Sequence, residues 1–93
     1  MAALSEDAIG KALEGLPGWA VNDAGEIEKE FRFDTFPAAV EFVNRVAGKA
    51  EAADHHPDID IRYNKVRLAL RTHSADAITD KDVALAGEAE RLA

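Results

Sequence analysis

Between residues 59 and 70 apolar and charged side chains alternate twice: Ile59, Ile61 and Tyr63 against Asp60 and Arg62, then Val66, Leu68 and Leu70 against Arg67 and Arg71. A period of two belongs to a strand with one buried face, because successive side chains point to opposite sides of the backbone. Asn64-Lys65 between the runs reads as the turn of an antiparallel hairpin. A second pair of extended runs lies between Trp19 and Phe33, on either side of Asn22-Asp23-Ala24-Gly25. There Ile27, Phe31 and Phe33 share one face, and Glu28, Glu30 and Arg32 share the other. Two hairpins, each with one wet face, are expected.

The remaining segments repeat at helical spacing. Ser5 before Glu6 and Asp7 supplies a cap oxygen and two negative charges for a first turn, with Ile9, Ala12 and Leu13 on one face, and Gly15-Leu16-Pro17-Gly18 ends that helix. Asp34 or Thr35 caps a second helix with Pro37 in its first turn and a broad stripe of Ala39, Val40, Phe42, Val43, Val46, Ala47 and Ala50. Thr79-Asp80-Lys81-Asp82 has the form of a capping box leading into Val83, Leu85, Ala86, Ala89 and Leu92. The order α-β-β-α-β-β-α predicts an α+β domain, with three helices gathered on one face of a four-stranded antiparallel sheet. Ninety-three residues, 47% of them hydrophobic, suffice for one core, so residues 1–93 are read as a single domain. The other sheet face is either solvated or met by another subunit, and an exposed edge invites pairing between chains.

Eighteen acidic against eleven basic residues give a formal charge of -7, which disfavours a phosphate-binding face, direct nucleic-acid binding and attraction to anionic membranes. The absence of cysteine excludes disulfides, thiolate metal sites and a cysteine nucleophile. The acidic start MAALSEDAIG does not resemble a signal peptide, and no apolar run approaches a membrane span, so a cytoplasmic protein is expected.

The chemistry concentrates in Asp54-His55-His56-Pro57-Asp58, at the corner between the second helix and the second hairpin. Glu51 lies four residues before His55, so the two meet on one face if the helix continues that far, and the carboxylate would then hold the imidazole's tautomer. Pro57 disfavours helical geometry at His56 and turns the chain outward. His73 follows the second hairpin, which brings it back to the same end of the sheet. The plainer alternatives are that the histidines fill surface, Glu51 is solvated, Asp54 forms a turn, Asp82 only caps a helix, and Trp19 and Tyr63 only pack. Three histidines can bind zinc, but adjacent ones converge poorly on one ion and no His-x-x-x-His pair exists. Ser74 directly follows His73, with no Gly-x-Ser-x-Gly elbow and no glycine-rich phosphate loop. Metal-free proton transfer remains, suited to imidazoles whose unperturbed pKa is about 6.5.

Glu51, three residues, His55-His56-Pro57, five residues, Tyr63, nine residues, His73, eight residues and Asp82, together with YNKVRLALRTH and Gly18-Trp19, resemble the signature of the pterin-4a-carbinolamine dehydratases over nearly the whole chain. The resemblance implies three helices against a four-stranded antiparallel sheet and a dehydratase without cofactor or metal. Family members remove water from the 4a-hydroxytetrahydropterin left by aromatic amino-acid hydroxylases, giving quinonoid dihydropterin. By the same resemblance His55, His56 and His73 match the active-site histidines, Glu51 and Asp54 nearby acids, and Asp82 a further acid, with Trp19 as support. Backbone from His55 to Pro57 and from Thr72 through Ser74 to Ala75 would border the pterin, Ala75 standing where some relatives carry cysteine. His55 and His73 are expected to form the acid/base pair, Glu51 to tune His55, and His56 to hold the pterin or share proton transfer. A homodimer or tetramer is implied. The rival reading is a non-catalytic pterin-binding module, or a dimerisation cofactor acting through a helical surface on a protein partner, as some relatives do for a homeodomain transcription factor. A third is a pterin-handling protein whose true substrate is a related pterin or an unrelated carbinolamine.

Overall fold

The computed structural model describes residues 2–93. Its elements are α1 (Glu6–Glu14), β1 (Ala20–Val21), β2 (Ile27–Arg32), α2 (Phe36–Ala53), β3 (Asp58–Arg62), β4 (Lys65–Leu70), a single 3-10 turn (His73–Ala75) and α3 (Asp80–Leu92). Apart from that added turn, this is the order expected from the sequence. The sheet is antiparallel with strand order β1-β2-β4-β3. The most buried strand, β4, is therefore internal, and β1 and β3 are the edges.

Register explains the two faces. Ile27 lies opposite Leu70 and Phe31 opposite Val66, while Ile59 and Ile61 of β3 lie opposite Leu68 and Val66. All these side chains point towards the helices, where Phe42, Val46 and Ala50 of α2 and Leu85, Ala86 and Ala89 of α3 complete the core. Phe42 is wholly buried between Phe31 and Phe33, with ring centroids at 4.8 and 5.0 Å. Lys29 also points inward, but its chain snorkels over Phe31, 4.7 Å from the ring centroid, to pair with Glu90 of α3. The opposite face carries Glu28, Glu30, Arg67, Asp60 and Arg62 around a buried Ala69, so it is mostly charged. On it the Arg67 guanidinium and the Asn22 amide, both hydrogen-bonded to Glu28, hold that carboxyl below the usual carboxylate range.

Two details differ from the sequence reading. Arg62 pairs with Lys65, so the turn is Tyr63-Asn64 and not Asn64-Lys65. Tyr63 takes a positive φ of 54° and is 68% exposed, while Asn64 ties the turn to β2 by donating to the Phe33 carbonyl at 2.7 Å. The apolar stripe of α2 is narrower than read: Ala39, Phe42, Val46 and Ala50 are buried, Val40 and Val43 only partly, and Ala47 faces solvent. Trp19 is a core residue, edge-on to Phe31 with its indole N–H donating to Glu90 Oε1 at 2.9 Å. Gly18, at φ 84°, turns the chain so that Trp19 enters beneath the sheet at this point. Among the described residues, no helix is long and apolar enough to cross a membrane.

Candidate active site

The corner begins with the way α2 stops. Asp54 adopts the left-handed conformation, φ 49° and ψ 45°, its N–H bonds the Glu51 carbonyl, and the His55 N–H reaches the Ala50 carbonyl at 3.0 Å. These two bonds form a Schellman motif, which satisfies the last carbonyls and reverses the chain at once. Because the helix ends at Ala53, His55 is not one turn beyond Glu51. Its side chain is instead swung inward, between α2 and α3.

There it meets Asp82. His55 Nε2 lies 2.5 Å from Asp82 Oδ1, and Asp82 is completely buried. Oδ2 of the same carboxyl accepts from Thr72 Oγ1 and from the Thr79 N–H, both at 2.9 Å. Thr72 and Thr79 hydroxyls are 2.7 Å apart, and Thr79 Oγ1 also accepts from the Lys81 N–H. A carboxylate only accepts, so Thr72 gives its hydroxyl proton to Asp82, and the Thr79 hydroxyl must donate to Thr72. By the same logic Nε2 of His55 carries a proton towards Asp82, which leaves Nδ1 free. Asp82 thus closes the capping box of α3 and anchors an imidazole; capping and histidine support are one arrangement. Among the described residues no buried side-chain polar atom lacks a partner.

The expected Glu51–His55 contact is corrected accordingly. Glu51 Oε1 pairs with His56 Nε2 at 2.9 Å, on the surface, where both groups are mostly exposed. His73 opens the 3-10 turn, which is pinned by a reciprocal backbone bridge between Thr72 and Ala77 and by an ion pair of Arg71 with Asp76. One cleft of about 310 Å³ then brings the pieces together: Asp54, His55 and His56 on one side, Arg71, Thr72, His73 and Ser74 on the other, and Lys81 from the first turn of α3. This volume is at the lower end of the roughly 300–1,000 Å³ usual for small-molecule sites. Pro57 and Ala75 adjoin the lining residues in sequence but do not line the cleft, Asp82 stands behind His55, and Trp19 lies elsewhere in the core. Arg71, Lys81 and Thr79 were read from the sequence only as strand and capping-box positions, not as site residues. Arg71 and Lys81 directly adjoin recognised positions, and the capping box already named Thr79. Among the described residues no three His, Asp or Glu side chains converge as a metal-holding group.

A second, apolar cleft of about 430 Å³ runs between α2 and α3 and shares His55 and Lys81 with the first. The family model of pterin 4 alpha carbinolamine dehydratase matches residues 2–92. The chain belongs to the pterin-4a-carbinolamine dehydratase family. Among relatives provisionally named pterin-4-alpha-carbinolamine dehydratases, that of Acidobacterium capsulatum is 54% identical, covering 99% of each chain. That of Chloroflexus aggregans is 52% identical over 99% of this chain and 98% of its own. A crystal structure described as a transcriptional coactivator/pterin dehydratase from Brucella melitensis superposes with a TM-score of 0.94, at 35% identity and 98% coverage of both chains. A pterin dehydratase-like protein described as a RuBisCO assembly factor in the alpha-carboxysome shares the fold alone, with a TM-score of 0.69 at 19% identity over 81% of this chain and 88% of that one.

Proposed function

We propose that this dehydratase-family chain converts 4a-hydroxytetrahydropterin to quinonoid dihydropterin and water by histidine acid/base catalysis. The observation that carries the reading is the single cleft lined by three imidazoles, one of them anchored through Nε2 on a buried carboxylate. An acid protonates the 4a-hydroxyl, the C4a–O bond breaks, the N5 lone pair forms C4a=N5, and a base takes the N5 proton. Water leaves, and the two catalytic groups exchange protonation states, to be restored through solvent. His55 and His73, reaching the cleft from different elements, serve as the pair; His56, steadied by Glu51, holds the pterin or shares the transfer. Asp82 holds His55 by hydrogen bonding in the role expected of Glu51. We place the reaction in the cytoplasm, beside a hydroxylase that forms the substrate.

Stopped-flow decay of the 4a-hydroxytetrahydropterin absorbance tests this. The parent should accelerate the decay, while a folded His55→Ala/His73→Ala variant should not; each single variant should keep part of the rate, since one general acid or base is worth about 100- to 10,000-fold. A folded parent without effect overturns the reading. The Brucella melitensis description, transcriptional coactivator/pterin dehydratase, supports a second reading, a coactivator role, which we place on a helical surface that meets a protein partner. That function would survive the double histidine replacement.

A further inference from the structure

The two adjoining clefts reverse the charge of the chain that contains them. The protein carries eighteen acidic and eleven basic residues, yet the linings of the two clefts hold four of the basic side chains and only two of the acidic ones. Arg71 is paired with Asp76 and Arg91 with Glu88. Lys49 and Lys81 are different: among the described residues neither has an ion-pair partner. Lys81 stands where the clefts meet, and Lys49 stands on the α2 rim of the second.

The second cleft is an open groove between the two helices. Its walls are Ala52 and Ala53 of α2 and Ala84 of α3, with Leu85 buried below; larger side chains at the alanines would fill it. It adjoins the histidine cleft at His55 and Lys81, so a ring held among the histidines can lay a substituent along an open groove, past Lys81 towards Lys49 and Arg91. We propose that this groove binds the side chain of the substrate, and that the preferred side chain is anionic, ending in a phosphate or carboxylate. The inference rests on the pterin reading above and adds a substrate class to it. Two solvent-exposed lysines attract an anion with modest, salt-screened strength, so the expected preference is about three- to thirtyfold.

Calorimetry with 7,8-dihydroneopterin and its 3′-monophosphate separates the possibilities. The parent should bind the phosphate ester about three- to thirtyfold more tightly at low salt. That ratio should shrink in Lys49→Gln, fall to about one in Lys49→Gln/Lys81→Gln, and fall likewise for the parent in 0.5 M salt. Equal affinity of the parent for both compounds overturns the anionic subsite and leaves the pterin reading intact. A preference that persists in the double variant also overturns it, because the anion is then held elsewhere. Binding of neither compound by the folded parent overturns both.

Discussion

Asp82 takes hydrogen bonds from three segments at once: His55 after α2, Thr72 after β4 and Thr79 before α3. The middle one is the most informative to remove. Thr72→Val keeps the shape but takes away the proton given to Asp82 and the oxygen that receives the Thr79 hydroxyl, leaving a buried donor unsatisfied. The variant is expected to lose about 1–3 kcal/mol in urea denaturation. If His55 acts as proposed, kcat should also fall at least tenfold while KM changes little, and Thr72→Ser should restore both. A stability loss with kcat unchanged would mean that the network supports the fold and not the imidazole. The family resemblance singled out Glu51, His55, His56, His73 and Asp82, but it did not tell how they pair. Spacing along a helix suggests a partner only while the helix lasts, and the contact that decides His55 spans 27 positions in the chain.

At the scale of elements, the decisive event is one residue in the left-handed region. Asp54 ends α2 where glycine is the usual choice, and the reversal separates His55, turned inward, from His56, left on the surface with Glu51. An L-residue there costs roughly 1–2 kcal/mol, somewhat less for aspartate. Asp54→Gly is therefore expected to raise stability by about 0.5–1 kcal/mol after the greater unfolded-state freedom of glycine is counted. Asp54→Val should lower it, and urea midpoints at constant slope measure both. A destabilised glycine variant would show that the aspartate side chain contributes more than its backbone strain costs. The elements themselves were legible because each has local chemistry behind it: Ser5, Thr35 and Thr79 all accept a backbone N–H as caps, and period-two alternation marks β3 and β4. Element ends were less so. Nothing local distinguishes Tyr63-Asn64 from Asn64-Lys65 as the turn; the pairing of Arg62 with Lys65 across the hairpin does.

For the whole molecule the unsettled surface is the β3 edge. The alternation of Ile59 and Ile61 was correctly read as strand, but alternation says nothing about whether a strand is internal, and this one is the last in the sheet. Both isoleucines point to the helix side, where α2 covers them only in part, and remain 38% exposed, next to a row of unpaired backbone groups. Edges of monomeric sheets are commonly protected by charge, proline or a bulge. Here the inward face of the edge is apolar, and a second copy adding its own β3 antiparallel would bury the isoleucines and pair the backbone in one step. The chain is therefore expected to run as a dimer or tetramer in light scattering at micromolar concentration. Ile59→Lys/Ile61→Lys, which puts inward-pointing charge on the edge at positions that line neither cleft, should run as a monomer or, if helices join the remaining copies, as a smaller assembly. A parent that is already monomeric would refute the edge interface, and an unchanged oligomer in the folded variant would move the contact to the helices.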